Sequence, residues 1–204
     1  MLKTFSFFKK SGWTMVLLLL VSTSLRAGGC YGFGDLKPVG LDGNRRFYVL
    51  AEYKILHSTH QDNFSGEDII FTYKVTHSLF LGLGAEYTTN KYHGDNGWRL
   101  YNLRFIPIFA DAKLFLPGNS TFAPFLQLSE GISFNHYNRM DSPYISSYSV
   151  SEKGDYLYTG VGCILKINNY LKPEIGVGFN GFKMSFNSWD VNPHGFTFRV
   201  GLMF

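Results

Sequence analysis

The residue types best able to do chemistry in this 204-residue chain gather in one stretch, which holds His57, Ser58, His60, Asp62, Glu67 and Asp68. A histidine near a serine and an acid could act as general base for the hydroxyl. His57, His60 and Asp62, or His93 with Asp95, could instead chelate a metal ion. Neither pattern is specific. His-x-x-His gains its ligand geometry from a helix, and nothing in this stretch has helical periodicity. Polar residues between two apolar runs read first as a solvated loop. The sequence therefore commits to no catalytic residue, no metal ligand and no cofactor.

The elements that must position these residues are strands. From Arg46 onward the apolar residues recur at every second position, in eight runs broken by polar turns. The runs cover about 46–56, 68–76, 79–89, 98–116, 121–136, 156–167, 172–186 and 195–204. In the first, Phe47, Val49, Ala51, Tyr53 and Ile55 share a face, with Glu52 and Lys54 behind them. In the fourth, Tyr101, Leu103 and Phe105 form the apolar face, and past Pro107 the phase changes to Ile108, Ala110, Ala112, Leu114 and Leu116. A β-bulge near Ile106–Pro107 would reverse the facing and accommodate the proline. In the fifth, Glu130 falls on the apolar side, which leaves a second bulge open.

Three links are short (77–78, 117–120, 168–171) and four are longer (57–67, 90–97, 137–155, 187–194). Transmembrane barrels have this asymmetry, with short turns at one rim and long loops at the other. A tilted strand needs about 9–11 residues to cross a bilayer, and these runs supply them. The expected fold is therefore all-β, an eight-stranded antiparallel up-and-down transmembrane barrel over 46–204. Its polar faces would converge on an interior network of Glu52, Lys54, Lys74, Glu86, Arg104, Asp111, Lys113, Lys166, Glu174 and Arg199. Such charges must pair, because isolated charges are costly to desolvate. Gly82, Gly84, Gly160, Gly162, Gly176 and Gly178 could open room inside, but eight strands leave a bore just wide enough for side chains, so a closed barrel is expected. Trp98, Trp189, Tyr92, Tyr101, Tyr156 and Tyr158 are expected in an outer aromatic girdle. Cys163 would face lipid as a small hydrophobe.

The N-terminus reads as an export segment. Lys3, Lys9 and Lys10 precede the short apolar run 14–21, followed by small residues that suit cleavage after Ala27 or Gly29. The apolar run is far shorter than the roughly 20 residues of a membrane-spanning helix. Cleavage after Gly29 would leave Cys30 first, but Ala27 stands where a lipidation motif has leucine. Residues 1–29 are thus a signal peptide and 30–45 an irregular lead-in. The isoelectric point near 9.0 owes its basicity to this segment. Taking Lys3, Lys9, Lys10 and Arg26 from the 19 cations leaves 15, against 15 anions. No basic patch remains to argue for nucleic acid.

The last ten residues, GFTFRVGLMF, set Phe196, Phe198, Val200, Leu202 and the terminal Phe204 at every second position. They resemble the C-terminal signal of outer-membrane barrels. The mature chain as a whole resembles the small OmpA/OmpX-like barrels. The stretches FIPIFADAKLF (105–115) and PFLQLSEGISF (124–134) are similar to the outer-membrane β-barrel domain of Bacteroidetes. The resemblance implies a place in the cell outer membrane among its lipids, and insertion by the barrel assembly machinery through the C-terminal strand. It implies no single activity. Outer-membrane lipid A acyltransferases and deacylases use a rim histidine with serine and an acid, but the spacing in 57–68 matches none of their motifs. The segment 137–155, rich in Tyr and Ser, is suited to contact with a surface partner. The expected role is non-enzymatic, structural or adhesion-like, with a lipid-modifying enzyme or narrow channel as the alternative.

Overall fold

The computed structural model describes residues 45–204 apart from 96–97, 117–120, 141–145, 168–170 and 188–190. The proposed signal peptide and all but Arg45 of the lead-in, with Cys30, lie outside the described residues, as does Trp189. Eight antiparallel strands follow one another: β1 (Phe47–Ser58), β2 (Asn63–Lys74), β3 (Leu79–Asp95), β4 (Trp98–Phe115), β5 (Phe122–Met140), β6 (Tyr148–Leu165), β7 (Lys172–Lys183) and β8 (Val191–Met203). Each pairs with the next, and β8 pairs with β1, with Lys54 opposite Arg199. The sheet closes without an edge, so the wall leaves no row of unpaired backbone groups.

Strict alternation builds this wall. In β1 every odd residue is exposed and every even one buried. The outer surface carries Phe47, Ile69, Phe71, Leu83, Ile108, Val161, Val177, Phe196 and Phe198, all large apolar side chains exposed outside the sheet. A soluble barrel would turn these inward; here the apolar face looks out. Phe196, Phe198, Val200, Leu202 and Phe204 all belong to that outer face. Phe204 exchanges backbone hydrogen bonds with Val49 (2.9 and 3.3 Å), so both ends of the barrel chain meet at one rim, with the short turns.

The opposite rim differs from the expectation. Residues 57–67 do not form a long loop: β1 runs to Ser58, β2 starts at Asn63, and a tight turn joins them. It is closed by Gln61 N–H donating to the Ser58 carbonyl (3.0 Å), with Gln61 at a φ of 66°. Residues 90–95 likewise belong to β3, and 137–140 and 148–155 to β5 and β6. The asymmetry between rims lies in strand extension more than in loop length. These stretches are mostly polar, with Asn, Asp, Gly and His among the Ser and Tyr, and they continue the ladder because a partner strand runs alongside.

The bulge of β4 also lies elsewhere. The β4–β5 register shifts between Tyr101 and Arg104, and Asn102 has a φ of 53°. Below it one phase holds, with Leu103, Phe105, Phe109, Asp111 and Lys113 inward and Arg104, Ile106, Ile108 and Ala110 outward. Pro107 sits within the ladder opposite Ser133 without a shift. β5 needs no bulge: Glu130 keeps the alternation and stands half-buried on the outer face, between Ala110 and Leu157.

Candidate functional site

The interior is layered. Nearest the short turns, Tyr48, Phe80, Phe115 and Phe125 pack ring against ring, with centroids 5.6, 4.8 and 5.8 Å apart in succession. The Lys172 ammonium lies 5.6 Å from the Tyr48 ring. Above them comes the charged layer. Arg199 from β8 donates through Nη1 to Glu52 Oε2 (3.2 Å) and through Nη2 to the Tyr156 hydroxyl (3.0 Å). Its Nη1 is 3.6 Å from Asp68 Oδ2, and its guanidinium lies 3.5 Å over the Tyr158 ring. Tyr156 passes its own proton donation to Glu86 Oε2 (2.9 Å), and Thr88 donates to Glu86 Oε1 (2.6 Å). Lys54 pairs with Glu86, and Lys113 with Glu174. Gln127 and Ser129 both donate to Asp111 Oδ1, at 2.8 and 2.7 Å. Each strand contributes to this layer because each has a polar residue at an inward position at that height.

A third layer is aromatic again. Phe109, Tyr156, Phe182, Phe105 and Phe64 form a chain of ring contacts with centroid spacings of 5.1, 5.3, 4.8 and 6.0 Å. The interior glycines serve this packing. A Cβ on Gly84 would sit 2.5 Å from the Phe109 ring, and one on Gly162 would sit 2.3 Å from Phe125. The room that glycine leaves is thus filled by rings, and the bore is packed with side chains.

The chain of rings ends at His93 on the far rim, 5.7 Å from Phe64. His93 is buried; its Nδ1 meets Asp62 Oδ2 at 2.5 Å and its Nε2 meets Asn192 Oδ1 at 3.1 Å. His60 and His194 stand beside it, with His60 centroid distances of 5.5 and 6.3 Å in edge-on contacts. Of the residues first singled out, the fold brings His60, Asp62 and His93 together and adds His194 from the start of β8. It keeps His57 apart on the outer face, bonded to Asn63 (2.8 Å). Ser58 is buried, and its hydroxyl accepts the His60 N–H (3.2 Å). Asp62 and His93 form an acid–imidazole pair, but Asn192 occupies the nitrogen that would have to face a nucleophile. Among the described residues no three His, Cys, Asp or Glu side chains are arranged to hold a metal ion.

Seven of the ten residues named from sequence for the interior network are buried inside: Glu52, Lys54, Glu86, Asp111, Lys113, Glu174 and Arg199. Lys74 and Lys166 are half-buried at the short-turn rim, away from the charged layer. Arg104 is a correction: it lies exposed on the outer wall, because the bulge at Asn102 precedes it where the sequence placed the bulge after it. Asp68, Lys172, Tyr156 and Tyr158 were missed. Asp68 lies inside next to Arg199, and both tyrosines are buried in the bore instead of forming a girdle. Even-numbered Tyr156 and Tyr158 flank outward Leu157, so the parity of their own strand could have assigned them.

No protein-family model and no curated protein sequence matches this chain. Solved structures do. Neisserial surface protein A (NspA) superposes with a TM-score of 0.50 at 17% identity, over 79% of this chain and 98% of that one. The chain shares its fold with the eight-stranded outer-membrane barrels. Also similar are the N-terminal β-barrel domain of Pseudomonas aeruginosa OprF (TM-score 0.48, 14% identity, 77% and 97% covered) and Ail, the attachment invasion locus protein of Yersinia pestis (0.46, 13%, 78% and 97%).

Proposed function

We propose that this protein is an exported outer-membrane barrel with a non-enzymatic surface-contact role, in which the packed barrel is the anchor and the β5–β6 hairpin the contact element. The observation that carries this reading is the length of that hairpin. β5 and β6 run 19 and 18 residues, where about 9–11 suffice to cross a bilayer. The excess stands beyond the apolar band and exposes Tyr148, Ser149 and Ser151 of β6, with Ser146 and Ser147 exposed just before it. Ser and Tyr supply adaptable hydrogen bonding and rigid contact area. Tyr137 and Glu152 (3.1 Å) and His136 and Ser151 (2.9 Å) tie the two strands together. Strands already paired lose less entropy on binding than a loose chain.

The apolar outer face supports a lipid environment. The alternating apolar set of β8, from Phe196 to Phe204, supports delivery by the barrel assembly machinery. A lipid-modifying activity has less support, since His93 has both ring nitrogens engaged. A conduit has less support too, since two aromatic layers bracket the charged one.

The test is in two parts. The mature chain, recovered from the outer-membrane fraction, should migrate faster on an SDS gel before boiling than after. Replacing the hairpin beyond Phe134 and Lys153 by a short turn should keep that shift and abolish binding of intact cells to a host or matrix surface. Binding that survives the replacement refutes the contact role.

A further inference from the structure

The outer wall carries a polar feature that neither the packed interior nor the projecting hairpin uses. Where the apolar surface of β2, β3 and β4 ends, a groove of about 410 Å³ opens on the outside of the barrel. Its floor and sides are formed by Asn63 and Ser65 of β2, Tyr87, Thr89 and Lys91 of β3, and Asn102 and Arg104 of β4. The groove exists because of the bulge. The extra residue at Asn102 turns Arg104 outward, where unbroken alternation from Tyr101 would have sent it into the bore. Thr89 and Arg104 are then directly opposed on adjacent strands.

The height of the groove defines its neighbours. At about 3.4 Å per residue and a tilt of about 40°, the stretch from Leu81 to Lys91 climbs about 26 Å, close to the apolar band of a membrane barrel, about 25 Å tall. Leu81, Leu83, Ile106 and Ile108 are exposed below the groove and Tyr87 borders it. Neither Lys91 nor Arg104 has an ion pair among the described residues, and both are exposed. Among the described residues Glu67 is the one acid on this stretch of wall, opposite Tyr87 and below Ser65. Two free cations with hydroxyl and amide donors thus stand directly over an apolar slope. That arrangement matches one ligand chemistry: an anionic phosphate headgroup in the groove, its acyl chains lying down the slope. Arginine and lysine to phosphate are among the stronger charge-assisted contacts, and desolvation at an interface strengthens them.

We infer that the β2–β4 groove is a binding site for the headgroup of an anionic, phosphate-bearing lipid of the surrounding leaflet, with Arg104 and Lys91 as its phosphate ligands. The inference rests on the membrane-barrel reading. Its test uses the refolded mature chain in neutral detergent, titrated with phosphatidic acid, with zwitterionic phosphatidylcholine, and with inorganic phosphate, and read by native mass spectrometry. The expected result is one phosphatidic acid retained at least about tenfold better than phosphatidylcholine, a preference that falls about tenfold in K91Q/R104Q and persists in K153Q, on the outer face of β6 away from the groove. A heat-shifting barrel whose preference is unchanged in K91Q/R104Q, or which inorganic phosphate occupies as well as the lipid does, overturns the site alone. A chain with no heat shift overturns the barrel reading and the site with it.

Discussion

Replacing Arg199 by alanine separates a buried network from a decorated surface. Arg199 is 1% exposed on its side chain and meets Glu52, Asp68, Tyr156 and Tyr158 at once. Its removal leaves two carboxylates, both buried, without their nearest cation, and takes the hydrogen bond from Tyr156. Breaking a buried pair from one side costs about 3–5 kcal/mol, most of it the desolvation of the partner left behind. For a barrel whose unfolding free energy changes by about 2 kcal/mol per molar urea, that is a fall in midpoint of about 2 M. The assay is urea unfolding of the vesicle-refolded chain, scored by the fraction that still migrates as the compact form. The comparison is R104A: sequence alone puts Arg104 and Arg199 in the same network, whereas the fold puts Arg104 on the outer wall, so its loss should leave the midpoint in place. A second comparison is R199M/E52Q, which removes one orphaned charge and should recover part of the loss. Equal midpoints for R199A and R104A would refute both the placement and the energetic argument.

Other perturbations follow from the same packing. Gly162→Leu drives a side chain into the Phe125 ring and Gly84→Val drives one into Phe109; each should cost about 1–3 kcal/mol or more, seen as a lower urea midpoint, and a neutral effect would mean the bore is not filled. In a planar bilayer the refolded barrel should show no steady conductance above leak, and large stable openings would contradict the stacked aromatic layers. His93→Ala removes the tie between Asp62 and Asn192 at the far rim. It should speed proteolysis within 59–62 while leaving the gel shift intact; unchanged cleavage would show that the rim is held by the β1–β2 turn alone.

The fold was legible because period-two patterning is a local property. Once Phe47 to Ile55 face one way, Glu52 and Lys54 must face the other, and the same rule settles the rest of β1, β2, β3, β7 and β8 without any knowledge of partners. It also extends correctly through Glu130: reading the alternation literally puts a carboxylate on the outer face, and that is where it stands. Pairing within the charged layer was not legible. Glu52 and Arg199 lie at opposite ends of the barrel sequence, and only closure of β8 onto β1 brings them together.

Two further points depended on tertiary structure. The bulge in β4 has no strong sequence mark, since Pro107 draws attention while the register slips at Asn102; where a slip falls is decided by how β4 and β5 pack along their whole length. The lengths of the strands at the far rim are also set by neighbours, because polar stretches such as 90–95 and 148–155 join a ladder when a partner strand is adjacent and read as loop when it is not. The sequence by itself therefore determined the number of strands, their order and most of which residue faces in. The three-dimensional closure decided which charges meet, which arginine faces outward, and how far the hairpins project. Facing follows from the bond geometry of each residue alone, whereas register, pairing and reach are properties of two strands at once.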